Sequence, residues 1–82
     1  MIFDYCEKEN TEGLTVLHIG LQFEDEPDAL YVAVLELAED DSVNDWKLFY
    51  NGFDCGYAFR PEEKAALIHY AAEQGISLRT ET

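Results

Sequence analysis

The stretch Trp46-Lys47-Leu48-Phe49-Tyr50-Asn51-Gly52-Phe53-Asp54-Cys55 decides the fold. Asn51-Gly52 falls between two aromatic-rich runs. A type I′ turn needs positive φ at both central residues, and Asn and Gly tolerate it. The dipeptide therefore predicts a hairpin, with Trp46–Tyr50 as one strand and Phe53–Phe59 as its return. Gly56 marks a candidate bulge in the return strand. Alternation puts Trp46, Leu48 and Tyr50 on one side and Lys47 and Phe49 on the other.

Upstream, Leu14–Phe23 reads as a long strand, with Leu17, Ile19, Leu21 and Phe23 on one apolar face and His18, Gly20 and Gln22 on the other. Ile2–Cys6 is a shorter β-like run, and the polar segment Glu7–Gly13 reads as a turn closed by glycine. Leu30–Leu37 is nearly all apolar, and Tyr31, Val32 and Val34 favour a strand buried on both faces. A helix starting at Pro27 is the rival reading, since Pro among acids is a helix-start signal. Two acidic turns, Glu24–Asp28 and Ala38–Asp45, flank this segment.

Downstream, Pro61–Gln74 is the clearest helix. Pro61 suits N1, Glu62 and Glu63 complement the positive end of the dipole, and Gly75 is placed for C′. Lys64, Leu67, Ile68, Ala71 and Ala72 trace its inward stripe. Ile76–Arg79 reads as a short last strand. The expected fold is α+β: a mostly antiparallel sheet of about five strands with one C-terminal helix packed on one face, forming a single acidic domain over residues 1–82.

Eighteen Asp and Glu oppose five Lys and Arg, a net charge of −13. Self-repulsion at this density opposes compaction. A chain this short buries only about 60–65% of its unfolded surface, so its stability margin is thin. Nucleic-acid binders need clustered Lys and Arg to displace counterions. Here Lys8, Lys47, Arg60, Lys64 and Arg79 are scattered and outnumbered, which argues against direct nucleic-acid binding, and anionic membranes are expected to repel the chain. The charge favours a cationic partner, a basic protein groove or a metal.

Cys6 and Cys55 form no CxxC, and a disulfide scaffold of this length carries four or more cysteines. Free thiols in a reducing cytoplasm are expected. Met1-Ile2-Phe3-Asp4 lacks the features of a signal peptide, and no apolar run nears the ~20 residues of a membrane span.

No catalytic motif stands out, so no enzyme activity and no cofactor is expected. Asp40, Ser42 and Asn44 match the first alternating positions of a calcium loop, but Asp45 stands where glycine is required and Asn51 where glutamate is required. A dedicated metal site is therefore not expected. His18 and His69 show no zinc spacing. Cys55 with His69 is a conceivable nucleophile pair, but a half-buried structural thiol is the favoured role for Cys55.

Two acidic clusters remain: Glu24, Asp25, Glu26 and Asp28, and Glu39, Asp40, Asp41 and Asp45. With Leu30–Leu37 as a strand they lie roughly 25–30 Å apart at ~3.3 Å per residue. Such patches could imitate phosphate rows, which carry one charge per ~1.7 Å of duplex axis. They equally suit solvated turns that keep a small protein soluble. Trp46 and Tyr57 are candidate partner anchors, since exposed Trp and Tyr commonly anchor interfaces.

In size, charge and lack of catalytic motif, the chain resembles the small acidic inhibitors of phages and mobile elements. Those occupy basic grooves of restriction, CRISPR or repair proteins. The likeness carries no motif and transfers no residues. It implies an inhibitor of a basic, nucleic-acid-binding protein. The other expectation is a structural or regulatory interaction module of antitoxin or immunity type, or a complex subunit, joined through its sheet edge or aromatic hairpin.

Overall fold

A computed structural model describes residues 1–79. Five strands, β1 (Ile2–Thr11), β2 (Leu14–Phe23), β3 (Glu26–Leu37), β4 (Val43–Tyr50) and β5 (Phe53–Asp54), precede one helix, α1 (Pro61–Glu73). The strands form one antiparallel sheet in chain order, β1-β2-β3-β4-β5. This is the expected α+β fold.

Alternation builds the core. Leu17, Ile19 and Leu21 of β2 face Leu35, Ala33 and Tyr31 of β3, and Ala33 and Leu35 face Leu48 and Trp46 of β4. Leu17, Ile19, Leu21, Ala33, Leu35, Leu37 and Leu48 are buried together with Phe59, Leu67 and Ala71. Each fully buried aliphatic side chain contributes about 1.5–3 kcal/mol. Helix α1 lies on this face, and Tyr70 stacks on Phe3 of β1 with ring centroids 4.5 Å apart.

Helix α1 starts and stops as its residues dictate. Arg60 N–H donates to Glu63 Oε1 at 2.8 Å, and Pro61 supplies the first helical residue. Gln74 is the C-cap, so the helix ends at Glu73, and Gly75 beyond it takes φ +87°. The inward stripe is narrower than expected. Leu67 and Ala71 are buried, Lys64 and Ile68 are half-buried, and Ala72 is exposed.

Five expectations are corrected. Strand β1 does not stop at Cys6 but runs to Thr11, and the turn is only Glu12-Gly13, both with positive φ. The polar residues Glu7–Thr11 are compatible with a strand because β1 is an edge strand, open to water on its outer side. The turn after β2 likewise shrinks to Glu24-Asp25, with Glu26, Pro27 and Asp28 inside β3. Segment 30–37 is strand, not helix, but only one face is buried. Val32 and Val34 stay half-exposed because the helix covers the opposite side. The return after Asn51-Gly52 is two residues, not seven, since Gly56 at φ +64° donates its N–H to Asp54 Oδ1 and turns the chain out of the sheet. Ile76–Arg79 forms a single parallel bridge, Ser42 to Arg79, and not a strand.

One close approach constrains the face that α1 leaves open. Gly20 lies under the ring of Tyr5, its partner on β1, and a Cβ there would collide with Tyr5 Cε1. Gly20→Ala should cost about 1–3 kcal/mol by crowding. The loss should shrink in a Tyr5→Ala background, read as coupling between the urea midpoints of the four proteins. Leu67→Ala, which opens a cavity under the helix, should cost about 2–5 kcal/mol in the same assay.

Candidate protein-binding surfaces

The turns place the acids. In a meander, alternate turns share an end of the sheet. Glu24, Asp25, Glu26 and Asp28 therefore lie at the end that carries Asn51-Gly52. Glu39, Asp40 and Asp41 lie at the opposite end, beside Glu12. The two clusters cap opposite ends of a molecule whose longest dimension is 34 Å.

Asp45 departs from its cluster. It is the third residue of β4, not a loop residue, and sits opposite Glu36 on β3. Val16 stands opposite Glu36 on the other side, and Glu9 opposite Val16. Three carboxylates thus share one row across the face that α1 does not cover. Like charges directly opposite one another destabilise a sheet. Lys47, two residues along the same face, offsets part of this with Nζ 3.5 Å from Asp45 Oδ2. Sequence reading missed this row. Its signal was the Glu36–Asp45 pairing, which needs the true length of the turn between β3 and β4.

The same face becomes apolar toward the Asn51-Gly52 end. Tyr5, Gly20, Val32 and Phe49 form one row across four strands. Ile2 (51% exposed) and Leu30 (58%) flank it. His18 falls in the next row, between Glu7 and Val34, on the non-core side as expected.

Four ion pairs engage acids among the described residues, at Glu24, Asp40, Asp45 and Glu73. All four carboxylates are well exposed, and none of these residues is buried. The acids of the described residues therefore face solvent with few cations to pair them.

Asp40 is the exception in detail. Its Oδ1 accepts the Ser42 hydroxyl at 2.6 Å and the Ser42 N–H at 3.1 Å, and Arg79 approaches Oδ2 at 3.5 Å. The Ser42 bonds first, and the Arg79 charge after them, hold this carboxyl below its usual range. The carboxylate of the supposed calcium loop is thus satisfied by the chain itself. Among the described residues, no three His, Cys, Asp or Glu side chains gather to hold a metal.

The two aromatic anchor candidates are not free. Trp46 is half-buried, packed near Phe59 and beneath Lys64, whose Nζ is 5.3 Å from the ring centroid. Tyr57 is half-buried, and its hydroxyl donates to Glu63 at 2.7 Å. That bond, then burial, pushes the Tyr57 phenol up. The exposed aromatics of the hairpin are Phe53, at 76%, and Tyr50. Cys55 is also exposed, not half-buried, because the short β5 leaves it at the rim. Cys6 is half-buried, and burial raises its thiol. His69 lies on the helix surface, 3.4 Å from Glu73.

Comparison with protein-family models, curated proteins and solved structures finds no match to this chain. Among the described residues no helix is long and apolar enough to cross a membrane.

The unpaired charge and the depressed Asp40 carboxyl give two predictions. Self-repulsion should make the thermal midpoint rise when NaCl goes from about 10 mM to 1 M, over which the screening length falls from ~30 to ~3 Å. A fall or no change would show that repulsion is not limiting. A carboxyl lowered in the folded state stabilises above its unfolded pKa, near 4, and loses that stabilisation as pH falls through the folded value. The wild-type advantage over Asp40→Asn should therefore be present at pH 6 and shrink below about pH 4, read from urea midpoints.

Proposed function

We propose that this chain is a small acidic protein-binding inhibitor. It acts as a nucleic-acid mimic that occupies a basic groove of a nucleic-acid-binding protein, in the manner of phage or mobile-element inhibitors of restriction or CRISPR systems. The observation that carries this reading is the pair of exposed acidic turns capping opposite ends of the sheet, with few cations to neutralise them. The candidate contacts are Glu24, Asp25, Glu26, Asp28, Glu39, Asp40 and Asp41, joined by Asp45 from the acidic row. A cationic groove relieves the repulsion these groups suffer in the free protein, and steering speeds encounter. The chemistry requires no catalytic group and no cofactor. The reading places the protein in the cytoplasm, where its free cysteines would persist as thiols.

A second reading has its own observation. The helix-free face carries Ile2, Tyr5, Leu30, Val32, Val34 and Phe49. An apolar sheet face flanked by polar residues suits a structural or regulatory subunit of antitoxin or immunity type. In that case the acids keep the protein soluble, and affinity survives salt.

The test is capture of partners at low and high salt, followed by competition with DNA or RNA. Mimicry expects a basic nucleic-acid-binding protein that salt releases and nucleic acid displaces. The triple reversal Glu24→Lys, Asp25→Lys, Glu39→Lys should weaken binding roughly 10²–10³-fold without loss of the folded circular dichroism spectrum. Unchanged affinity in that variant, with sensitivity to Val34→Lys instead, transfers the function to the helix-free face.

A further inference from the structure

The cations of this acidic chain are not spread evenly. A groove of about 720 Å³ runs between the outer edge of β4 and helix α1. Lys64, His69 and Arg79 line it, so two of the five Lys and Arg gather there. Val43, Trp46 and Ile68 supply apolar surface. The volume falls in the range of ligand sites, ~300–1,000 Å³.

Among the described residues, the strand edge in this groove is open beyond the Ser42–Arg79 bridge. Strand β5 pairs only with Phe49 and Tyr50, and Cys55 N–H adds one bond to the Leu48 carbonyl at 2.9 Å. That bond shows that the main-chain groups of Leu48 point outward from the sheet. A step of two residues along the strand points those of Trp46 outward as well. Between Ser42, bridged to Arg79, and Leu48, no described strand pairs with this edge. Among the described residues, the Trp46 N–H meets the carboxylate of the adjacent Asp45, at 3.0 Å. An unpaired edge beside a helix is the geometry in which an extended peptide adds a strand, with main-chain bonds for affinity and side-chain pockets for selection.

We propose that the groove between β4 and α1 binds an extended peptide carrying a carboxylate. The peptide pairs with the open edge at Trp46, taking over the N–H now held by Asp45 and bonding the outward carbonyl. Its apolar side chains lie on Val43, Trp46 and Ile68. Its carboxylate meets Lys64 and Arg79, with His69 beside them. The remaining charge of the protein repels anions at long range, so the groove selects a peptide with a single carboxylate over a polyacidic one. This site lies apart from the Glu24–Asp28 turn and adjoins Asp40, the present partner of Arg79, and Asp45, so the peptide carboxylate competes with Asp40 for Arg79.

Trp46 is the chain's one tryptophan, so its emission reports the groove directly. The probe is the synthetic pentapeptide Thr-Val-Thr-Val-Val, acetylated, titrated onto the full chain in three forms. One has a free C-terminal carboxylate, one is C-terminally amidated, and one is amidated with a central Glu. A saturable emission change with either carboxylate form, and at least tenfold weaker binding of the plain amide, is expected. Which carboxylate form binds tells a terminal carboxylate from a side chain. The double variant Lys64→Gln, Arg79→Gln should weaken binding roughly tenfold. Amide shifts in ¹H–¹⁵N spectra should centre on Val43–Lys47. Equal binding of the amide, no saturable change, or shifts centred on the β1 edge would each overturn the proposal.

Discussion

Everything in this structure depends on a thin aliphatic ladder holding together a chain whose charge drives it apart. Leu17, Ile19 and Leu21 on β2, Ala33, Leu35 and Leu37 on β3, and Leu48 on β4 form one buried face. Leu67 and Ala71 of α1 close it. Against this stands a charge of −13 on 82 residues. Burial is local and short-ranged, whereas the repulsion is spread over the surface and screened by salt. The compromise is visible in where the acids stand. They occupy turns, the outer edge strand, the open face and helix α1, and none is buried among the described residues. Among the described residues, the single helix covers one side of the sheet only.

The parts legible in the sequence are those fixed by local backbone chemistry. Asn51 and Gly52 take φ of 52° and 82°, the left-handed pair that their residue types allow most cheaply. Pro61, the acids after it and Gly75 set the helix ends within one residue. The period-two pattern of Leu14–Phe23 gave that strand its bounds, because a one-residue slip would turn Leu17, Ile19 and Leu21 into water. What sequence reading lost were segments whose state is set by partners. Glu7–Thr11 has no apolar face, and it is a strand because β2 offers it a full ladder of bonds. Phe53–Phe59 has strand composition, yet the Asp54–Gly56 turn takes the chain away to deliver Phe59 into the core.

The candidate sites show the same division. Acids in the turns were plain from composition, and the structure keeps them exposed at opposite ends. The row of Glu9, Glu36 and Asp45 was hidden, because it exists only through the register of four strands. Trp46 and Tyr57 also have work within the chain. Aromatic identity suggested anchors, but one ring supports Lys64 and the other hydroxyl serves Glu63, so both hold the helix to the sheet. The residues that took the exposed positions are Phe53 and Tyr50, beside the turn that the sequence did reveal.

A surface this uniformly acidic gives its few cations unusual weight. A lysine on a mixed surface is one charge among many and is worth little. Here Lys64 lies over an aromatic face and lines a groove beside a strand edge that no described strand pairs with, and Arg79 lies on the same groove. Elsewhere, Lys47 stands alone beside the carboxylate row of the open face. The molecule is therefore polarised by function-bearing surface and not by net charge alone. Its acidic ends and open face repel anions and attract cations, while the groove between β4 and α1 is the place where an anion meets positive charge. The two surfaces meet at Asp40, which pairs with Arg79 of the groove, and at Asp45. The Asp45 carboxylate, bonded to the Trp46 amide on one side and to Lys47 on the other, stands at the boundary between them.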